Sequence, residues 1–91
     1  MKICYITLNP VNLSIKPIIY DNETGDSSSY ELGNYNILFA STISNFCIEK
    51  GVDELIIIGN NNYTQRIKEN IISYQNTKFN EIKFKIVLQE S

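Results

Sequence analysis

One short stretch of the chain has residue types suited to binding an anion. Gly59, Asn60, Asn61, Asn62 and Thr64 lie between an apolar run and a helical pattern. A helix N-terminus presents free backbone N–H groups, so a loop at this place suits a phosphate or a carboxylate. The stretch lacks the Gly-Lys-Ser/Thr of a phosphate loop and the spaced glycines of a dinucleotide fingerprint. An ordinary capped turn is the expected structure, and a small-ligand or nucleotide site at these five residues is the alternative.

Other groups that do chemistry in proteins are scarce. The chain has no histidine, which removes imidazole acid–base chemistry and most zinc sites. Cys4 and Cys47 lack a CxxC spacing and lie in apolar segments. We therefore expect buried, reduced thiols rather than a disulfide or a nucleophile. No catalytic residue, metal site or cofactor is expected.

Three acidic residues, Asp21, Glu23 and Asp26, lie in one polar segment. Carboxylate oxygens are the ligands that hard cations prefer, but this spacing does not match a calcium loop. A solvated turn is the expected structure, and a cation site is the alternative.

Charge gives no indication of a nucleic-acid partner. The net charge is −2, and the 8 Lys and Arg residues are scattered rather than clustered, whereas phosphate binding needs grouped cations. The aromatic residues could instead form a base-stacking surface, but most lie at positions that suit a core. Tyr30 and Phe79 are the two that we expect on exposed loops.

The first third of the chain predicts a hairpin followed by a loop. Lys2–Leu8 and Ser14–Tyr20 are rich in strand formers, and the turn between them is predicted at Pro10–Leu13. Pro17 cannot donate to a ladder, which places the second strand at an edge or a bulge. The polar segment Asp21–Gly33 has no periodicity and predicts a loop.

A helix and a central strand follow. Asn34–Lys50 has apolar residues at helical spacing, with Asn34 as the predicted N-cap and Gly51 as the C′ residue. The continuous apolar run Glu54–Gly59 predicts a mid-sheet strand buried on both faces.

The last third predicts a second helix and a final strand. Asn62 and Gln65 have the spacing of a capping box, and the apolar face that follows ends at Tyr74. The segment Asn76–Asn80 breaks this pattern. Apolar residues then alternate from Ile82 to Leu88, which predicts a strand with one wet face.

Together these elements predict one α/β domain over residues 1–91. The order is β-β-α-β-α-β, with an N-terminal antiparallel hairpin, parallel strands after it, and two helices packed on a small mixed sheet. No apolar run is long enough for a signal peptide or a membrane span, so we expect a cytoplasmic protein without membrane contact. Enrichment in Ile and Asn indicates AT-rich codons, as in a low-GC bacterium or its phages.

This order resembles a trimmed ribonuclease H-like fold that lacks one strand of the opening meander. The resemblance is topological and covers most of the chain, including the helix Asn34–Lys50, the strand Glu54–Ile58 and the helix after Asn62. It implies two metal ions held by acidic residues on the first strand, in the first helix and at the end of the central strand. Those places carry Thr7 or Asn9, a helix without an inward carboxylate, and Asn60. A non-catalytic derivative is therefore expected.

The first functional hypothesis is a non-enzymatic binding or assembly module, encoded by a phage or mobile element. It would act through protein–protein contacts or self-association at a sheet edge or helix face. A small-ligand or nucleotide-binding domain using Gly59–Thr64 is the alternative, and a divergent ribonuclease H-like nuclease is a further one.

Overall fold

A computed structural model describes residues 1–8, 14–34, 39–59 and 61–90. The elements are β1 (Lys2–Thr7), β2 (Ser14–Ile15), β3 (Ile18–Asp21), β4 (Ser27–Ser29), β5 (Gly33–Asn34), α1 (Phe39–Glu49), β6 (Glu54–Gly59), α2 (Asn61–Phe79) and β7 (Lys85–Glu90). Among these residues, five strands form one mixed sheet in the order β4-β3-β1-β6-β7, and β2 and β5 form a separate two-stranded sheet. The small mixed α/β fold expected from the sequence is thereby confirmed.

Both helices lie on the same face of the five-stranded sheet. β1, β6 and β7 are parallel, and the chain steps in the same direction from β1 to β6 and from β6 to β7. Right-handed crossovers therefore place α1 and α2 on one side, where they pack against each other. The result is two layers, with one sheet face that neither described helix covers.

The opening hairpin differs from the prediction in its pairing. Only Ile18–Asp21 pairs with β1, in antiparallel register, whereas Ser14–Ile15 pairs with Gly33–Asn34. Pro17, which is buried and has no N–H to donate, separates the two pieces. The turn predicted at residues 10–13 lies outside the described residues.

The segment predicted as a loop at Asp21–Gly33 contains strands. Ser27–Ser29 forms β4 and pairs antiparallel with β3. The turn before it closes with Gly25 at φ 78°, a left-handed conformation that glycine adopts without steric cost. The N–H of Gly25 donates to the carbonyl of Asp21 at 2.8 Å.

Helix α1 ends as the sequence predicts. Gly51 has φ 69°, and its N–H donates to the Ile48 carbonyl at 3.2 Å, while the Val52 N–H donates to the Cys47 carbonyl at 2.9 Å. These two bonds form a Schellman motif. The N-cap prediction at Asn34 is wrong, because Asn34 belongs to β5. Residues 35–38 lie outside the described residues.

Helix α2 is longer than predicted. It includes Asn61, so Asn62 is a helical residue and not the first residue of a capping box. Gln65 instead donates from Nε2 to Oε1 of Glu69 at 3.2 Å. The helix continues through the predicted break to Phe79, and Asn80 follows with φ 58°. Its N–H donates to the Asn76 carbonyl at 3.1 Å, an αL cap that Asn tolerates.

The core lies between the helices and the covered face of the sheet. Its apolar residues include Cys4, Ile6, Leu55 and Ile57 from the strands, Ile43 and Cys47 from α1, Ile67 and Ile71 from α2, and Phe84.

Two boundary and burial predictions for the later strands are wrong. β6 is central, but Ile56 and Ile58 are only half-buried, because their side chains lie on the face without helices. The final strand begins at Lys85 rather than at Ile82, and Ile82 is exposed.

Candidate functional site

The predicted anion site lies where β6 ends and α2 begins. Gly59 is buried, and a Cβ there would lie 2.8 Å from the Thr64 Cγ2 and 2.9 Å from the Leu8 carbonyl oxygen. The N–H of Leu8 donates to the Ile58 carbonyl at 2.8 Å. Glycine at position 59 therefore allows the end of β1 and the first turn of α2 to approach closely.

The five predicted ligand residues differ in what they present to solvent. Thr64 is 2% exposed and Gly59 is buried, whereas Asn62 is exposed. Asn60 and the side chain of Asn61 lie outside the described part of the chain. Gly59 and Thr64 serve close packing of neighbouring elements, and ligand binding at this stretch stays a prediction.

The second face of the sheet, called the open face below, carries side chains in three cross-strand rows. The strand registers determine which residues share a row. The first row is Ser27, Tyr20, Ile3, Glu54 and Lys85; the second is Ser29, Ile18, Tyr5, Ile56 and Val87; the third is Thr7, Ile58 and Gln89.

The open face has an apolar centre and a polar rim. Ile18 is 43% exposed and Tyr20 is 36% exposed, and the apolar residues of β1, β6 and β7 on this face are half-buried. Glu54 and Lys85 lie at the rim with 4.0 Å between Oε2 and Nζ. Protein-binding surfaces commonly have this arrangement of an apolar centre within a polar rim.

A pocket of about 450 Å³ adjoins the open face at the β3–β4 edge. One basic side chain, Lys16, and one acidic side chain, Glu31, line it together with the apolar side chain of Ile18. Its lining consists of Lys16, Ile18, Ser29, Tyr30 and Glu31.

The two aromatic residues expected on exposed loops are both half-buried, so that prediction is wrong. Tyr30 packs edge-on against Phe46, with ring centroids 5.3 Å apart, and Lys50 Nζ lies 4.8 Å from the Tyr30 centroid. Phe79 is the last residue of α2. Neither forms a free stacking surface.

A polar cluster joins the two helices on their outer side. Lys78 Nζ donates to the Tyr74 hydroxyl at 3.0 Å, and that hydroxyl donates to Asn45 Oδ1 at 3.2 Å. The hydrogen bond from Lys78 is the main reason that the pKa of Tyr74 is lowered from its usual value. This cluster connects α1 to α2.

The two cysteines are free and buried, as the sequence predicts. The hydrogen bond with Cys4, and then desolvation, raise the pKa of the Cys47 thiol well above its ordinary value. A thiol that stays protonated is a poor nucleophile.

The acidic segment forms a turn with its own partners. Asp21 Oδ1 accepts the N–H of Glu23 at 3.0 Å, and the Glu23 carboxylate lies 3.2 Å from the N-terminal ammonium of Met1. Within the described residues, no group of three or more His, Cys, Asp or Glu side chains could hold a metal ion.

Comparison with known proteins gives no family for this chain. No protein-family model matches it, and no curated protein sequence matches it either. Among the described helices, none combines the length and the apolar character needed to cross a membrane.

Proposed function

We propose that this chain is a non-enzymatic protein-binding or assembly module that binds through the open face of its sheet. The observation that carries the proposal is the apolar centre formed by residues of four adjacent strands. Ile18 and Tyr20 expose large side chains there, and neither described helix covers them. A contiguous exposed apolar patch bordered by polar residues is typical of an interaction site.

The sheet topology supports a ribonuclease H-like fold as part of this proposal. The sequence suggested that one strand of the opening meander is missing, but β1, β3 and β4 form a three-stranded antiparallel meander. Two parallel strands follow on the other side of β1. We do not extend the proposal to nuclease activity, because the places that need carboxylates carry Thr7 or Asn9 and Asn60.

The small-ligand alternative has less support. Thr64 and Gly59 contribute to packing, so at most the N-terminal N–H groups of α2 and nearby asparagines remain for an anion. If phosphates and nucleotides raise the melting temperature of the protein, this alternative gains the support that the geometry lacks. A cytoplasmic location and a phage or mobile-element source stay predictions from the sequence.

Binding through the open face is tested with one charged substitution and a matched control. Ile18→Lys places a charge in the apolar centre, whereas Ser28→Lys places the same charge on the adjacent strand β4, on the opposite face. Proteins retained from an extract of the source cells by the immobilised wild-type chain are identified, purified and titrated.

We expect Ile18→Lys to weaken binding by at least about tenfold and Ser28→Lys to leave it unchanged. Circular dichroism of both variants checks that the fold is intact. Equal binding by folded Ile18→Lys and wild type would contradict the proposal.

A further inference from the structure

The outer edge of β7 is the longer of the two edges of the five-stranded sheet. β7 has six residues, whereas β4 at the opposite edge has three serines. No proline or glycine interrupts β7, and its ends are Lys85 and Glu90. No described strand pairs with its outer edge. Unpaired N–H and C=O groups on such an edge favour pairing with another strand.

The hydrogen bonds between β6 and β7 determine which backbone groups of β7 lie on its outer edge. The N–H of Lys85 donates to the Asp53 carbonyl at 3.1 Å, so Lys85 and alternate residues after it are bonded toward β6. The N–H and C=O groups of Ile86 and Leu88 therefore lie on the outer edge.

We propose that β7 pairs antiparallel with β7 of a second copy of this chain, with the two Val87 residues facing each other across a two-fold axis. This inference rests on the proposed function and names the second copy as the partner. A two-fold axis that relates two antiparallel strands of one sheet is perpendicular to the sheet. Each face of the sheet therefore continues from one copy into the same face of the other. The open faces of the two copies then form one surface on a ten-stranded sheet.

The Val87 register pairs similar residues with each other. Ile86 lies opposite Leu88 of the second copy, and both have outward backbone groups, so each of these two pairs exchanges two hydrogen bonds. Lys85 lies opposite Gln89 of the second copy. Both Ile86 and Leu88 are half-buried against the core, so their pairing extends the covered apolar layer across the interface.

The neighbouring symmetric registers are worse. A register centred on Leu88 places Ile86 opposite Glu90 of the second copy, and one centred on Ile86 places Lys85 opposite Val87. Each places a charged residue opposite an apolar one, which forfeits the cross-strand contact.

Charge also favours antiparallel pairing of the two β7 strands. The strand has a basic end at Lys85 and an acidic end at Glu90, and antiparallel pairing places unlike ends side by side. The two Lys85 residues are separated by four residue steps, about 13 Å along the strand. This distance exceeds the screening length of about 8 Å at physiological salt.

The test is the solution mass measured by light scattering over a range of protein concentrations. We expect a dimer of twice the 10.5 kDa chain mass that dissociates on dilution. Val87→Lys places two ammonium groups on facing residues and is expected to raise the dissociation constant at least about tenfold. Ser28→Lys, with the same charge on the opposite edge strand, should remain dimeric.

Amide hydrogen exchange gives a second readout that does not need a variant. We expect protection of the Ile86 and Leu88 N–H groups to increase with protein concentration, while that of Lys85 and Val87 stays unchanged. A wild-type monomer at every concentration would overturn the inference. A dimer that folded Val87→Lys leaves unaffected would also overturn it.

The two proposals fail separately. If the wild type is a monomer but extract binding depends on Ile18, open-face binding stands and β7 pairing is wrong. If the dimer depends on Val87 but persists in Ile18→Lys, and extract binding does not depend on Ile18, β7 pairing stands and open-face binding is wrong.

Discussion

Gln75 is a buried polar residue of α2 whose side chain forms hydrogen bonds to two other parts of the molecule. Its side chain is fully buried. Nε2 donates to Ser44 Oγ in α1 at 3.4 Å, and Oε1 accepts the backbone N–H of Lys83 at 2.7 Å. Gln75 therefore connects α2 to α1 and to the segment that leads into β7.

Replacing Gln75 by leucine should destabilise the fold although the volume is similar. Gln75→Leu removes the partner of the Lys83 N–H and leaves the Ser44 hydroxyl without this bond. We expect the free energy of unfolding to fall by about 1–3 kcal/mol in urea denaturation. Gln65→Leu is the control, because its hydrogen bond to Glu69 is exposed, and its change should stay within about 0.5 kcal/mol. Equal effects of the two variants would contradict this role.

Stability should decrease with pH on the alkaline side because of Cys47. Its hydrogen bond with Cys4 and its burial raise the pKa of the folded-state thiol. In the unfolded chain the thiol ionises with a pKa of about 8.5, so unfolding then releases a proton that the folded state keeps. The contribution is fully present below this pH and is lost above it.

The slope for one such thiol approaches about 1.4 kcal/mol per pH unit above the unfolded pKa. We expect urea denaturation between pH 8 and 9.5 to show stability falling more steeply in wild type than in Cys47→Ala, with the difference approaching this slope at the upper end of the range. The comparison uses the slope, so any constant loss from the smaller side chain does not matter. Identical slopes would show that Cys47 ionises equally in both states.

At the scale of elements, the cap of α1 was predictable because it depends on local chemistry. Gly51 follows Lys50 at the end of an apolar periodicity, and glycine is the residue that favours φ 69°. The sequence misplaces the N-terminus of α2 by two residues, because several asparagines in a row each suit a cap.

Gly51→Ala should destabilise the protein by about 1–2 kcal/mol, because an L-residue is strained in the left-handed region. No atom lies within 4 Å of the added Cβ, so the effect would come from the backbone alone. Asn80 has the same left-handed conformation at the end of α2. Asn80→Ala should destabilise the protein less than Gly51→Ala does, since Asn is itself partly strained in this conformation. Thermal unfolding of the two variants gives the comparison, and no loss in Gly51→Ala would contradict it.

β4 shows what could not be predicted from the sequence. Its three serines have neither strand propensity nor alternation, and the strand exists because β3 offers an edge for backbone pairing. Likewise, the apolar run of β6 suggested burial on both faces, because sequence alone does not show on which side two crossovers fall. The open face could not be predicted for a similar reason: its residues are far apart in sequence, and the strand register brings them together.

At the scale of the whole molecule, the two-layer arrangement predicts uneven resistance to local opening. β1 and β6 have neighbours on both sides, whereas β4 is short and at an edge. Amide hydrogen exchange should be slowest in the ladder between β1 and β6 and fastest in β4. Measurement at a concentration too low for association separates this pattern from β7 pairing. Equal protection of β1 and β4 would contradict it.

The parallel alignment of β1, β6 and β7 also determines how the molecule responds to mechanical force. The amino end of β1 and the carboxyl end of β7 lie at opposite ends of the strands, with β6 between them. Traction between residues 1 and 90 therefore loads both hydrogen-bonded ladders in shear, so that many bonds must break together rather than one after another. Pulling between the start of β1 and the turn after β3 would instead separate β1 from β3 one hydrogen bond at a time, because these two points lie at the same end of the antiparallel pair. The same fold is thus strong along one axis and weak along another.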